Sequence, residues 1–209
     1  AATPPGATTP GATPPAASTP PASTPPGPAA PGTSSLAAAH KGLTYMGAQI
    51  PRAGLYNSIL RRSEPYGATR TFQGLPFVLG KVSSFGGPND RGVTRTETGT
   101  ITGERLRSLH SPVRPSPGQL RSRPADFYYV AMRWDYRPMG RTFWRRARIV
   151  VVAPSGRAVV VRPLDWGPHT RTRRTLDLSP QALRDLGLRT DQEAYAAFVH
   201  PATPLGPLR

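Results

Sequence analysis

Two runs of mostly β-branched residues, IVVV and AVVV, stand in RARIVVVAPSGRAVVVRPLDW (146–166), joined by APSGR. Such runs on either side of a Pro-Ser-Gly turn predict a β-hairpin. Neither run alternates with polar residues, so both faces of the hairpin must be covered, as in the wall of a barrel core. That requirement narrows the possible folds more than any other stretch. Around it, GKVSSFGG (80–87) reads as a strand entering a glycine turn. ADFYYVAMRWDY (125–136) reads as a strand alternating aromatic and small residues, and AYAAFVHP (194–201) as a closing strand. LSPQALRDLGL (178–188) predicts a short helix, capped by Ser179, opened by Pro180 and ended at Gly187. The polar, Pro-punctuated stretch from Gly92 to Arg123 reads as a long surface excursion.

The N-terminal part obeys different rules. Residues 1–39 hold 11 of the 27 prolines, carry no charge and contain nothing larger than Leu36. Such a segment cannot bury enough apolar surface to offset its ordering entropy, so a disordered Pro/Ala/Thr-rich tether is expected. Residues 40–79 read as a partly ordered lead-in, with two or three helical turns over AGLYNSILRR (53–62). The β domain is expected over 80–201, with 202–209 as a C-terminal tail. The small-residue start, Ala1-Ala2-Thr3, followed by a Pro/Thr spacer is what processing of a secreted chain would leave, so a secreted or envelope location is expected. No run approaches the roughly 20 apolar residues that span a bilayer.

The net charge of +16 falls wholly on residues 40–209 and is carried by arginine, since Lys41 and Lys81 are the only lysines. Arginine forks suit phosphate and carboxylate. Nucleic acid is not the expected partner, because the basic residues follow no recognition helix and are not interleaved with stacking aromatics. There is no cysteine, which excludes disulfides, thiol nucleophiles and cysteine zinc sites. His40, His110 and His200 are scattered, and neither a metal site nor a cofactor is expected.

Candidate chemistry concentrates in VRPLDWGPHTRTRRTLDLSP (161–180). Asp165, before a Gly-Pro turn, suits a catalytic acid, a ligand contact or a cap on that turn. His169 suits a general base or a solvated turn residue. Asp177 precedes the capped helix, where it serves either the backbone amides and Arg173 or Arg174, or a groove. Arg171, Arg173 and Arg174 suit an anionic ligand or a solvated face. Upstream, strand alternation puts Arg133 and Asp135 on one face and Trp134 and Tyr136 on the other. Trp134, Trp144 and Trp166 are sugar-stacking platforms or core residues. Asn89-Asp90 reads as a turn, with groove lining as the alternative.

The order V-V-V-R-x-x-D-x-G-P, then L-D-L-S-x-x-A-x-x-x-L-G-L, resembles the double-psi β-barrel of the rare-lipoprotein-A-like and expansin-like proteins. The hairpin turn and the S-S-F-G-G-P-N-D segment fit the same frame, which covers about residues 80–200. The resemblance implies a six-stranded double-psi barrel with one or two short helices. It also implies a function on cell-wall polysaccharide, with Asp165 as the acid of a lytic transglycosylase acting on peptidoglycan. Lytic cleavage needs no second carboxylate to activate water, because the sugar's own 6-hydroxyl closes an anhydro ring. The sequence departs from the family at two places. Arg133, Trp134 and Asp135 stand where T-A-A-H is usual, and Leu164 replaces an Asn; His169 is positioned to take the missing histidine's role. The expected site is therefore Asp165, His169 and Asp177 as catalytic residues. Trp134, Asp135, Trp166, Arg133, Arg171 and Arg173 would contact a cell-wall polysaccharide or other anionic glycopolymer. The alternatives are a non-catalytic expansin-like binding module, and a structural or tip component of a secreted or phage-like assembly joined through residues 40–79.

Overall fold

A computed structural model describes residues 67–208 apart from 73–74, 88–89, 110–113, 134–136 and 138. The tether, most of the lead-in with its 53–62 helix, and the site candidates Trp134 and Asp135 lie outside the described residues. Eight strands are present among them: β1 (Gly67–Phe72), β2 (Leu75–Ser84), β3 (Tyr129–Met132), β4 (Arg148–Val152), β5 (Ala158–Asp165), β6 (Leu176–Leu178), β7 (Glu193–Val199) and β8 (Gly206–Pro207). Three short helices accompany them: α1 (Pro117–Ser122), α2 (Arg141–Arg146) and α3 (Pro180–Leu186). No helix among the described residues is long and apolar enough to cross a membrane.

Six of the strands close a ring, β2–β6–β3–β5–β4–β7 and back to β2. The pairs β2–β6 and β3–β5 are parallel, and the other four are antiparallel. The mainly β, closed six-stranded barrel that the resemblance implied is thus present, and its pairing is compatible with a double-psi barrel. β1 lies outside the ring against β2, and β8 pairs with β5.

The hairpin forms as its sequence requires: Ile149 faces Val161 and Val152 faces Ala158 across β4 and β5. Alternate residues serve two different cores. Ile149, Val151, Val159, Val161 and Phe198 point into the barrel. Val150, Val152, Val160, Tyr195 and Val199 form an outer cluster with Phe77, closed over by Leu205 and Leu208 beside β8. Each such Val is worth about 1.5–3 kcal/mol when taken out of water. The helix α3 also forms as read, with Ser179 Oγ accepting from Ala182 N and Gly187 at φ 69° closing it.

Three readings need correction. β2 begins at Leu75, five residues before the stretch read as a strand, because Leu75–Gly80 pair with β1 and Val78–Lys81 with β7. Of the stretch 125–136 read as an alternating strand, Tyr129–Met132 form β3, all four buried, and its start differs because Pro124–Asp126 make a 3₁₀ turn. The excursion from Gly92 to Arg123 is not merely superficial. Val93, Leu106 and Leu109 pack with Tyr129 and Leu164 in a third cluster, and Ile101 enters the barrel core. Its apolar residues are single and far apart in sequence, so no periodicity announces them.

Candidate functional site

One row of side chains crosses four strands. Ser83 on β2 stands beside Asp177 on β6, Asp177 beside Ala131 on β3, and Ala131 beside Asp165 on β5. In-register neighbours share a face of the sheet. All four line a groove of about 390 Å³. A register shift in the β3–β5 pair selects Asp165: Val130 faces Pro163, and Ala131 then faces Asp165, skipping Leu164. Leu164 is buried beneath the excursion, while Asp165 reaches the groove. Two strand spacings separate Asp177 from Asp165, about 9–10 Å between α carbons. Ala131, the residue between them in the row, contributes only a methyl.

Asp177 is the perturbed carboxyl. Burial raises it to about pH 6, above the ordinary carboxylate range, and the nearby charge of Asp90 adds to the rise. The Ser83 hydroxyl, which donates to Asp177 Oδ1, opposes the shift, as do the guanidinium groups of Arg174 and Arg133. A largely buried acid that opens on a groove and holds its proton toward neutral pH is suited to proton donation.

Asp165 is differently placed. Its Oδ1 accepts from Thr100 N at 2.8 Å and from Thr100 Oγ1 at 2.6 Å. Thr100 belongs to a small flap closed by the Thr98–Arg105 bridge, with Leu106 N donating to Glu97 O at 3.0 Å. The flap is tied to the barrel again where Arg162 Nη2 meets Glu104 Oε2 at 2.6 Å and Ile101 N meets Leu164 O at 3.2 Å. Gly99 permits that approach, since a β-carbon there would lie 2.6 Å from Leu164 O. Asp165 therefore combines capping with groove lining.

Two turns wall the groove, and each is gripped from within by an arginine. On one side Arg107 donates to Asp90 O at 2.9 Å and Val93 O at 3.0 Å. The Asp90 carboxylate takes Gly86 N at 2.6 Å and Gly92 N at 2.7 Å. Gly86 has φ 87°, and a β-carbon on it would strike Tyr129 Oη at 2.5 Å. On the other side Arg133, buried at 2% exposure, donates from Nη1 to Pro168 O at 2.7 Å and Arg174 O at 2.6 Å. The Arg174 guanidinium lines the groove while bound to Asp191 at 2.8 and 3.1 Å. Phe85 and Trp166 follow the outer ends of the polar row on β2 and β5, and both line the groove. Trp166 is 41% exposed.

Of the expected residues, Asp165, Asp177, Trp166 and His169 come together in the groove. His169 is exposed, and its Nδ1 accepts from Arg171 N at 3.2 Å, so it caps the 3₁₀ turn Thr170–Thr172. Arg171 and Arg173 stand exposed on that turn, and Arg133 lies beneath it. Trp144 is no platform: α2 carries it into the core at 2% exposure, against Phe143 and Phe198. Sequence reasoning passed over Ser83, Phe85 and Thr100 as site residues. The SSFGG segment held the first two, but only the β2–β6 register shows that Ser83 meets Asp177. No protein-family model matches the chain, and no curated protein matches it in sequence.

Proposed function

We propose that this barrel acts on the glycan strands of a cell-wall polysaccharide, as a lytic transglycosylase of the envelope in which Asp177 is the acid. The observation that carries this reading is the buried, proton-retaining carboxyl of Asp177 on the floor of an open groove with an exposed Trp166 at its edge. Asp177 gives its proton to the glycosidic oxygen as the bond from that oxygen to the anomeric carbon breaks. The sugar's 6-hydroxyl oxygen closes on the same carbon, and its proton returns to the Asp177 carboxylate. Atoms and charge balance with no added water. Asp165, about 9–10 Å away by strand spacing, lends negative charge to the oxocarbenium-like centre. Trp166 and Phe85 offer apolar faces to the sugar rings on either side of the acids. Residues 1–39, in this reading, tether the barrel within the wall.

A non-catalytic binding module is the second reading, favoured by the engagement of Asp165 with Thr100. Incubation with peptidoglycan sacculi, followed by mass spectrometry of the soluble fraction, separates the two. The lytic reading expects anhydro-muramyl products that Asp177→Asn abolishes and Asp165→Asn reduces, with both variants folded by circular dichroism. Sedimentation with sacculi and no products would leave the binding module; products undiminished in Asp177→Asn would remove Asp177 from the acid role.

A further inference from the structure

The groove floor and its rim carry opposite charges. Asp90, Glu97, Asp165 and Asp177 line the interior, against Arg174 alone among the arginines. The rim turns instead expose Arg91 on one wall and Arg171 and Arg173 on the other. Among the described residues none of these three has an ion-pair partner. The turns that bear them are fixed. Arg107 and Arg133 each hold two carbonyls from inside, as described, and Thr172 adds bonds to His169 O at 2.8 Å and Arg174 N at 3.3 Å. Arg173 sits in the left-handed region at φ 55°, where glycine is at ease and a side chain is disfavoured. A strained position on a rigid turn that still bears a guanidinium is a presented group.

We infer that this rim reads anionic substituents, so the ligand of the groove is a glycan bearing carboxylate or phosphate groups. This rests on the polysaccharide reading above and names its substrate class. An anion placed on the floor would meet the carboxylates of Asp90, Glu97 and Asp165 beside the acid of Asp177, so the ligand lies with its hydroxyls toward Asp165 and Asp177. Its charged substituents project outward to Arg91, Arg171 and Arg173. Guanidinium forks pair with both kinds of oxyanion through two parallel hydrogen bonds.

The test measures affinities of the whole chain for carboxymethylcellulose, phosphorylated mannan, neutral hydroxyethylcellulose and oligothymidylate. The triple variant Arg91→Gln, Arg171→Gln, Arg173→Gln is set beside a charge-matched control, Arg121→Gln, Arg157→Gln, Arg189→Gln, whose residues are equally exposed but lie on neither of the two wall turns. The inference expects the anionic-to-neutral affinity ratio to fall about tenfold in the rim variant and less than about twofold in the control. Whichever anionic glycan binds more tightly identifies the substituent. An equal fall in the control, or oligothymidylate binding as tightly and with the same rim dependence, overturns it in favour of general attraction to polyanions. Neutral glycan bound as well as the charged ones overturns the inference and leaves the polysaccharide reading standing. If no glycan binds, the inference falls, and the polysaccharide reading is decided separately by the digestion of sacculi.

Discussion

The barrel wall is built by two sets of rules. Through β4, the first half of β5 and β7, the strands are antiparallel and apolar on both faces, feeding an inner and an outer core. From the end of β2 through β6 and β3 to the end of β5, pairing is partly parallel. β6 has three residues and β3 four, and the groove face carries Ser83, Asp177, Ala131 and Asp165. The first half supplies rigidity through apolar burial. The second spends little on packing and uses its short, crossing strands to bring residues nearly a hundred positions apart into one row. Stability and chemistry are thereby separable, and each can be perturbed alone.

The sharpest way to test this separation is Asp177→Asn. Glycan cleavage should fall by about 10²–10⁴-fold, the usual share of a general acid, read as anhydro-product release from sacculi, while the protein remains folded. Next comes Phe198→Ala in the apolar half. It leaves a cavity against Trp144 and Phe143 and should cost about 3–5 kcal/mol by denaturant unfolding. Loss of cleavage in proportion to loss of fold would show that the halves are coupled after all.

A pH series distinguishes the halves more finely. Folded Asp177 holds its proton up to about pH 6, whereas the unfolded carboxyl releases it near pH 3.9. Between those values the native state binds more protons, so its stability falls as pH rises from about 4 to about 6 and levels off above. Asp177→Asn lacks this loss. The variant should therefore gain on the wild type by on the order of 2–3 kcal/mol across that window. A constant difference from pH 4 to 7 would contradict the raised pKa of Asp177. The smallest effect belongs to Thr100→Val, which keeps the backbone bond to Asp165 and removes the hydroxyl one. It should lower stability by about 1 kcal/mol, seen as a small shift of the denaturation midpoint.

The same division explains what could be read from the sequence. IVVV-APSGR-AVVV announced the hairpin because its information is local, a composition and a turn. Ser179, Pro180 and Gly187 announced α3 for the same reason. Asp165 and Asp177 were visible as acids near one another in the chain. Their ranking was not, because the burial that perturbs Asp177 arises where β6 is flanked by β2 and β3, strands far from it in sequence. Leu164 looked like a substitution in a motif. The register shift in β3–β5 turns it into a core residue and gives the next position to the groove. Val93, Ile101, Leu106 and Leu109 hid because isolated apolar residues in a polar stretch have no period to betray them.

Arg107 and Arg133 hold the groove walls by carbonyl oxygens, which every residue type possesses. Apart from Gly86, Asp90, His169 and Thr172, which also fix the turns, the walls do not depend on the side chains displayed on them. Positions such as Arg91, Arg171 and Arg173 can be exchanged for other residues while the turns keep their course. A barrel built this way can change the polymer it accepts by a few surface substitutions, without reopening its core.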